Sequence, residues 1–173
     1  MAGFIDIACN FTHESFKHNL EKVINDAERA GVEKFVLLCA SLDDLDRIKK
    51  IQNNAPNKFF ISAGIHPHHA TETVEINYDQ LLRQLQSITP HAIGETGLDY
   101  FRNISPPDIQ KESFRMHIEI AKELNLPLYL HQRDAHNDFI RIIRENRKNF
   151  PKFVVHCFTG TQKKLDEYLD LGA

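Results

Sequence analysis

The sequence contains no apolar run approaching the length of a membrane span, and no basic region precedes a long apolar stretch near its start. Neither a bilayer anchor nor a secretory leader is therefore expected. Cysteine is scarce. Cys9, Cys39 and Cys157 are odd in number and share no paired spacing, which argues against a disulfide scaffold and for reduced thiols in the cytosol. Positive charge is not in excess either. A formal net charge of -3 excludes a uniformly basic nucleic-acid binder, while leaving room for a local patch or a bound metal that holds phosphate. Low-complexity tracts and linkers are missing. No G-x-G-x-x-G follows the first apolar segment, which weighs against a dinucleotide site, and no H-E-x-x-H supplies a compact metal motif.

What is present is the material of one globular domain covering residues 1–173, with 42% apolar and 26% charged residues. Strand and helix patterns alternate strictly along it. Phe4–Cys9 reads as a strand, and a helix beginning near Thr12 or His13 carries Leu20, Val23, Ile24 and Ala27 at helical spacing, with Gly31 just past its end. Phe35–Ala40 is an unbroken apolar run suited to a buried parallel strand. Ser41 then caps a helix with Leu42, Leu45, Ile48 and Ile51 inward. Phe59–Ile65 is the third strand, and Tyr78, Leu81, Leu82 and Leu85 mark the third helix. The fourth strand runs into Glu95 and is followed by a turn. Asp108 opens a long helix, Leu126–Leu130 is the fifth strand, and Asp134 caps the fifth helix. Phe153–Cys157 is the sixth strand, and Thr161 starts a sixth helix that ends near Gly172.

Alternation of this kind predicts a parallel sheet with helices outside it. An open sheet gathers its site at one switch point, whereas a barrel recruits from many strands. Functional-looking residues end five of the six strands here, so a TIM-type (β/α) barrel is expected. A full barrel has eight units in about 250 residues. The chain supplies six units, and the last two strand–helix units are expected to be missing.

The strand ends carry the chemistry. Ala92-Ile93-Gly94-Glu95, Leu128-Tyr129-Leu130-His131 and Phe153-Val154-Val155-His156 each deliver a metal-ligating side chain at the end of an apolar segment. One carboxylate and two imidazoles suit zinc, manganese or iron, or magnesium with more oxygen ligands. Taken singly, each residue is as well explained by a hydrogen-bonded group that holds a loop. His66 ends the third strand and can bond a substrate oxygen, carry a proton or join a metal shell. Arg133 can grip a phosphate with its planar fork or pair with a loop acid such as Asp99. Asp99 itself can order its loop or bond a ligand histidine. Tyr100 and Phe101 can stack a base or pack onto the barrel top. His68 and His69 are expected to face water. His91 is expected to be structural, and His13, His18, His117 and His136 to be surface or capping groups.

Five ordered segments resemble one family: Phe4–Thr12, Ala63-Gly64-Ile65-His66-Pro67-His68, Ile93–Tyr100, His131-Gln132-Arg133-Asp134-Ala135 and Val155–Gly160. They are collinear across nearly the whole chain and are similar to the TatD family of metal-dependent deoxyribonucleases. The resemblance implies a TIM barrel, a divalent-ion cofactor (Mg, Mn or Zn) and a DNA substrate met as single strands or ends, with 3′-to-5′ exonuclease action. It implies Glu95, His131 and His156 as metal ligands, with His66 lining the pocket. Two departures follow. Many members carry His-x-His after the first-strand aspartate, where this chain keeps Asp6 but has Ala8 and Asn10. The family's last aspartate ligand, on a later strand, has no counterpart here. Two other readings stay open: a metal hydrolase of an ester, lactone or amide, and an inactive barrel fragment that associates through its open strand edges.

Overall fold

A computed structural model of the chain describes residues 3–148, 150 and 152–173. Six strands, β1 (Phe4–Cys9), β2 (Val32–Leu38), β3 (Phe59–Ala63), β4 (Ala92–Asp99), β5 (Leu128–Arg133) and β6 (Phe153–Val155), form one sheet in the order β1-β2-β3-β4-β5-β6. Every pair of neighbours is parallel. The helices between and after them are α1 (Leu20–Arg29), α2 (Leu45–Asn54), α3 (Tyr78–Ser87), α4 (Pro107–Leu124), α5 (His136–Asn146) and α6 (Gln162–Asp170). Strand order follows chain order without reversal, so the sheet has no switch point. It winds in one sense, as a (β/α) barrel does.

Local chemistry explains most boundaries. Asn77 caps α3 by accepting from the Gln80 amide at 3.0 Å, while the Gln80 side chain accepts from the Asn77 amide at 2.9 Å. This reciprocal pair satisfies two donors that helix geometry leaves free. Pro107 opens α4 with its fixed φ, and Asn125 ends it in the left-handed conformation. The main apolar cluster lies between sheet and helices, where Phe114 of α4 stacks on Phe139 of α5 at 5.3 Å between centroids. Phe35, Phe114, Phe139 and Tyr168 are among its largest fully buried members.

Several expected boundaries move. β4 does not stop at Glu95 but continues through Gly97 to Asp99, and β5 continues through His131 to Arg133. Both extensions pair with each other, Gly97 with His131 and Asp99 with Arg133, so pairing carries polar residues that an apolar pattern leaves out. Asp134 is not a helix cap. Ala135 holds the position before α5, and its amide donates to the Gln132 side chain at 2.9 Å. Chain entry to α1 is also longer than expected, because a short 3₁₀ turn at Glu14–Phe16, capped by His13, precedes it.

The two outer strands have one neighbour each among the described residues. On β1, Phe4, Ile5 and Ile7 are about half exposed or more, as is usual only for apolar residues that lack a covering layer.

Candidate metal centre

Residues just past β3 and β6 and in the second half of β5 converge on the middle of β4. Glu95 on β4 is 8% exposed, and one of its oxygens, Oε1, is the meeting point. His131 Nδ1 lies 3.0 Å from it and His66 Nε2 3.7 Å, and His156 Nε2 is in short hydrogen-bond contact with the same oxygen. Each imidazole arrives from a different segment. His131 is in β5, His156 follows β6, and His66 follows β3 with its amide bonded to the Ala40 carbonyl at 3.0 Å.

Glycine makes the approach possible. Gly94 and Gly97 have φ of 142° and 139°, and a Cβ at either would strike the carbonyl oxygen of Tyr129 or of His131. β4 and β5 are thus pressed together where the ligating residues lie. His131 stands level with Gly97, between Glu95 and Asp99 along β4. With no side chain at 97, its ring reaches both acids: Nδ1 meets Glu95, and Nε2 meets Asp99 Oδ2 at 3.1 Å.

Asp99 is buried and anchors more than one histidine. Its Oδ2 also bonds His68 Nε2 at 2.8 Å, and its Oδ1 accepts the Arg102 amide at 2.8 Å. The expectation that His68 faces water is therefore corrected. Pro67 starts a 3₁₀ turn (Pro67–Val74), and the His68 amide donates to His66 Nδ1 at 3.1 Å. That turn folds His68 back over the rim, with its ring centroid 4.3 Å from that of His66. His69 does lie outside, half exposed and 3.3 Å from Glu72. Arg133 does not pair with Asp99. It is exposed, and its guanidinium stacks on the Phe101 ring at 3.8 Å.

Burial sets the protonation of the cluster. It pushes His66 down to about 3, with the nearby Glu95 charge opposing only in part, so His66 is neutral near pH 7. Burial would raise Glu95, but the bonds from His131 and His156 outweigh it and hold the acid well below the usual carboxylate range. Asp99 is lowered in the same way: burial opposes ionisation, and the Arg102 amide, His68 and His131 overcome it.

The donor set fits a divalent cation. His66, Glu95 and His131 offer ligand atoms that all lie within 4.8 Å of one another, and His156 reaches the same carboxylate oxygen. Two neutral-capable imidazoles and a carboxylate in a buried cup suit a borderline ion such as zinc or manganese.

Two residues that set this geometry were not expected from sequence. Gln110 on α4 is fully buried; its Oε1 accepts the Asp99 amide at 2.8 Å and its Nε2 donates to the Asp99 and Ser105 carbonyls at 3.1 and 2.7 Å. His117, two turns further along the same helix face, is also fully buried rather than at the surface. Its Nδ1 donates to the Ser113 carbonyl at 2.7 Å and its Nε2 accepts the Ile65 amide at 3.0 Å. β3 pairs with β4 only at Ser62 and Ala63, so His117 takes up an amide that the sheet leaves unpaired just before His66. His136 is likewise buried, bonded to the Tyr168 hydroxyl at 2.9 Å. The signal for all three is weak, because an inward histidine or glutamine on a helix reads as polar until its partner is known. His91 keeps the structural place expected of it, accepting the Ile61 amide at 3.2 Å.

A sequence model of the TatD related DNases matches residues 5–173. The chain belongs to this family. Among curated TatD relatives, the 3′-5′ ssDNA/RNA exonuclease TatD of Musicola paradisiaca is 36% identical over 170 residues, covering 96% of this chain and 63% of its own. The namesake from Erwinia billingiae is 35% identical over 167 residues, covering 96% and 64%. The chain thus spans a little under two thirds of the length of these TatD proteins. Solved structures agree on the fold. The TatD homolog YJJV of Escherichia coli superposes with a TM-score of 0.84 at 27% identity, covering 98% of this chain and 65% of that one. A hydrolase TatD family protein of Entamoeba histolytica gives 0.88 at 30%, covering 99% and 64%. Among the described residues no helix is long and apolar enough to cross a membrane.

Proposed function

We propose that this chain carries the metal half of a phosphodiesterase that acts on nucleic acid. The observation behind the proposal is the convergence of three imidazoles on a single buried carboxylate oxygen of Glu95. Glu95, His131 and His156 would hold a divalent ion, and His66 joins them. A buried imidazole pushed down to about 3 is a poor proton carrier at neutral pH and a good neutral ligand. When bound, such an ion supplies a Lewis acid and lowers the pKa of a coordinated water.

The remaining work falls to the protein's own groups. Asp99 fixes the ring orientation of His131 through Nε2. His68, held by the same acid through Nε2, has no partner for its Nδ1 among the described residues and offers that nitrogen to a substrate group at the rim. Arg133 forms no ion pair among the described residues, and its in-plane N–H groups are free to bind a phosphate oxygen. His131, His156 and Arg133 line one cavity of about 420 Å³, together with Gln132, Cys157 and Thr159. The relatives are named for exonuclease activity on single-stranded DNA and RNA, which sets the substrate class to test first.

The test is Glu95→Gln and His131→Ala in the full chain, assayed on a single-stranded oligonucleotide with added Mg, Mn or Zn. Both variants should lose all cation-dependent cleavage and most cation binding by calorimetry. Retained cleavage in either one, in a contamination-controlled preparation, removes this site from the reaction. Esters and lactones run beside the oligonucleotide separate the rival chemistry. Turnover of those alone would favour it.

A further inference from the structure

The segment after β4, residues 100–106, is bonded to several neighbouring elements while two of its large apolar side chains stay exposed. The segment is pinned along its length. The Arg102 amide donates to Asp99 Oδ1 at 2.8 Å, and Gln110 Nε2 donates to the Ser105 carbonyl at 2.7 Å. The Ser105 hydroxyl donates to the His68 carbonyl at 3.0 Å, and the Tyr100 hydroxyl to Asp138 at 2.9 Å. Its start is tied to β5 as well, because the Tyr100 amide donates to the Arg133 carbonyl at 2.9 Å. A loop held to β4, the Pro67–Val74 turn, α4, α5 and β5 loses little freedom on binding. Yet it presents Phe101 and Ile104 to water at 59% and 60% exposure. One guanidinium, that of Arg133, stacks on the ring at 3.8 Å, and Arg102 is the next residue along the chain. Both are exposed, and neither forms an ion pair among the described residues.

We propose that Phe101 is a stacking platform for one unpaired nucleobase of the substrate, with Arg133 and Arg102 receiving the flanking phosphates. The proposal rests on the phosphodiesterase reading of the adjoining metal centre. Its chemistry fits that ligand closely. A rigid exposed aromatic offers an open π-face that any base can use, and unpaired arginines complement a phosphodiester chain on a protein whose net charge is -3. Arg133 connects the two places, since it lines the cavity that also holds His131 and His156. A base in a duplex keeps its faces covered, so the platform selects single strands or frayed ends.

The chain has no tryptophan, so Phe101→Trp installs a single reporter at the site. Its emission should be quenched saturably by a single-stranded oligonucleotide, and much less by an abasic oligonucleotide of equal length or by duplex. In parallel, Phe101→Ala should raise KM for the oligonucleotide on the order of 10-fold, with kcat changed less than about two-fold and Phe101→Trp restoring it. The KM for methyl p-nitrophenyl phosphate, which has no base to stack, should change far less than that for the oligonucleotide in these variants. Equal quenching by abasic and normal strands, no quenching at all, or an unchanged KM in Phe101→Ala overturns the platform. Loss of both substrates in the unsubstituted chain is a different result, and it counts against the metal centre instead.

Discussion

Asp99 shows how much of the site depends on one side chain. Its Oδ2 serves His68 and His131 together, while its Oδ1 ties down the Arg102 amide. Asp99→Asn keeps the shape but replaces one acceptor oxygen with a donor, so either both imidazoles or the Arg102 amide loses its acceptor. We expect cation affinity or kcat to fall by about 10–100-fold, with the fold intact by circular dichroism. An unchanged affinity and rate would show that the histidines are oriented without it. The sequence marked Asp99 as a residue that orders its loop or bonds a ligand histidine, without saying which, because a ligand imidazole needs an acceptor on its far nitrogen. It gave no sign that His68 shares that acceptor, since the return turn after Pro67 is visible only once the backbone is traced.

At the scale of elements, α4 is the scaffold of the centre. Gln110 clamps the end of β4, and His117 clamps the end of β3, from one buried helix face. The alternation of strands and helices and their order were legible, because buried parallel strands are continuous apolar runs. The extensions of β4 and β5 were not, because they are held by backbone pairing and glycine-permitted contact rather than by apolar content. The helix polar groups were hidden for a related reason: their partners are main-chain amides and carbonyls, which leave no pattern in side-chain order. His117 yields a pH prediction. Burial depresses it to about 4, whereas an unfolded imidazole takes a proton near 6.5. Between those values the unfolded chain binds the proton that the folded chain refuses, so stability falls as pH drops from about 6.5 to 4. The loss attributable to His117 is on the order of 3 kcal/mol. His117→Gln keeps an acceptor for the Ile65 amide and should flatten this part of the urea-midpoint profile. His117→Leu leaves that amide unpaired and should cost about 1–3 kcal/mol near pH 7, a gap that closes as pH falls towards 4 because Leu does not titrate. Parallel profiles for the original chain and His117→Gln would contradict the assignment.

At the scale of the molecule, the open sheet governs behaviour in solution. β1 and β6 keep one side of their backbone unpaired among the described residues, and β1 adds exposed Phe4, Ile5 and Ile7. The 173-residue chain should self-associate with concentration, and Ile5→Lys should suppress this, as charged residues do on natural sheet edges. Light scattering across a dilution series decides it, and a monodisperse monomer at all concentrations would show the edges to be harmless. The meeting of four segments at one oxygen of Glu95 has a last consequence. A cation seated there would rivet β3, β4, β5 and β6 to each other, and such a rivet strengthens only the folded chain. The melting temperature should therefore act as a gauge of free divalent ion, climbing with each addition and dropping back when a chelator is stirred in. At a hundredfold excess over Kd the gain is about 2.7 kcal/mol.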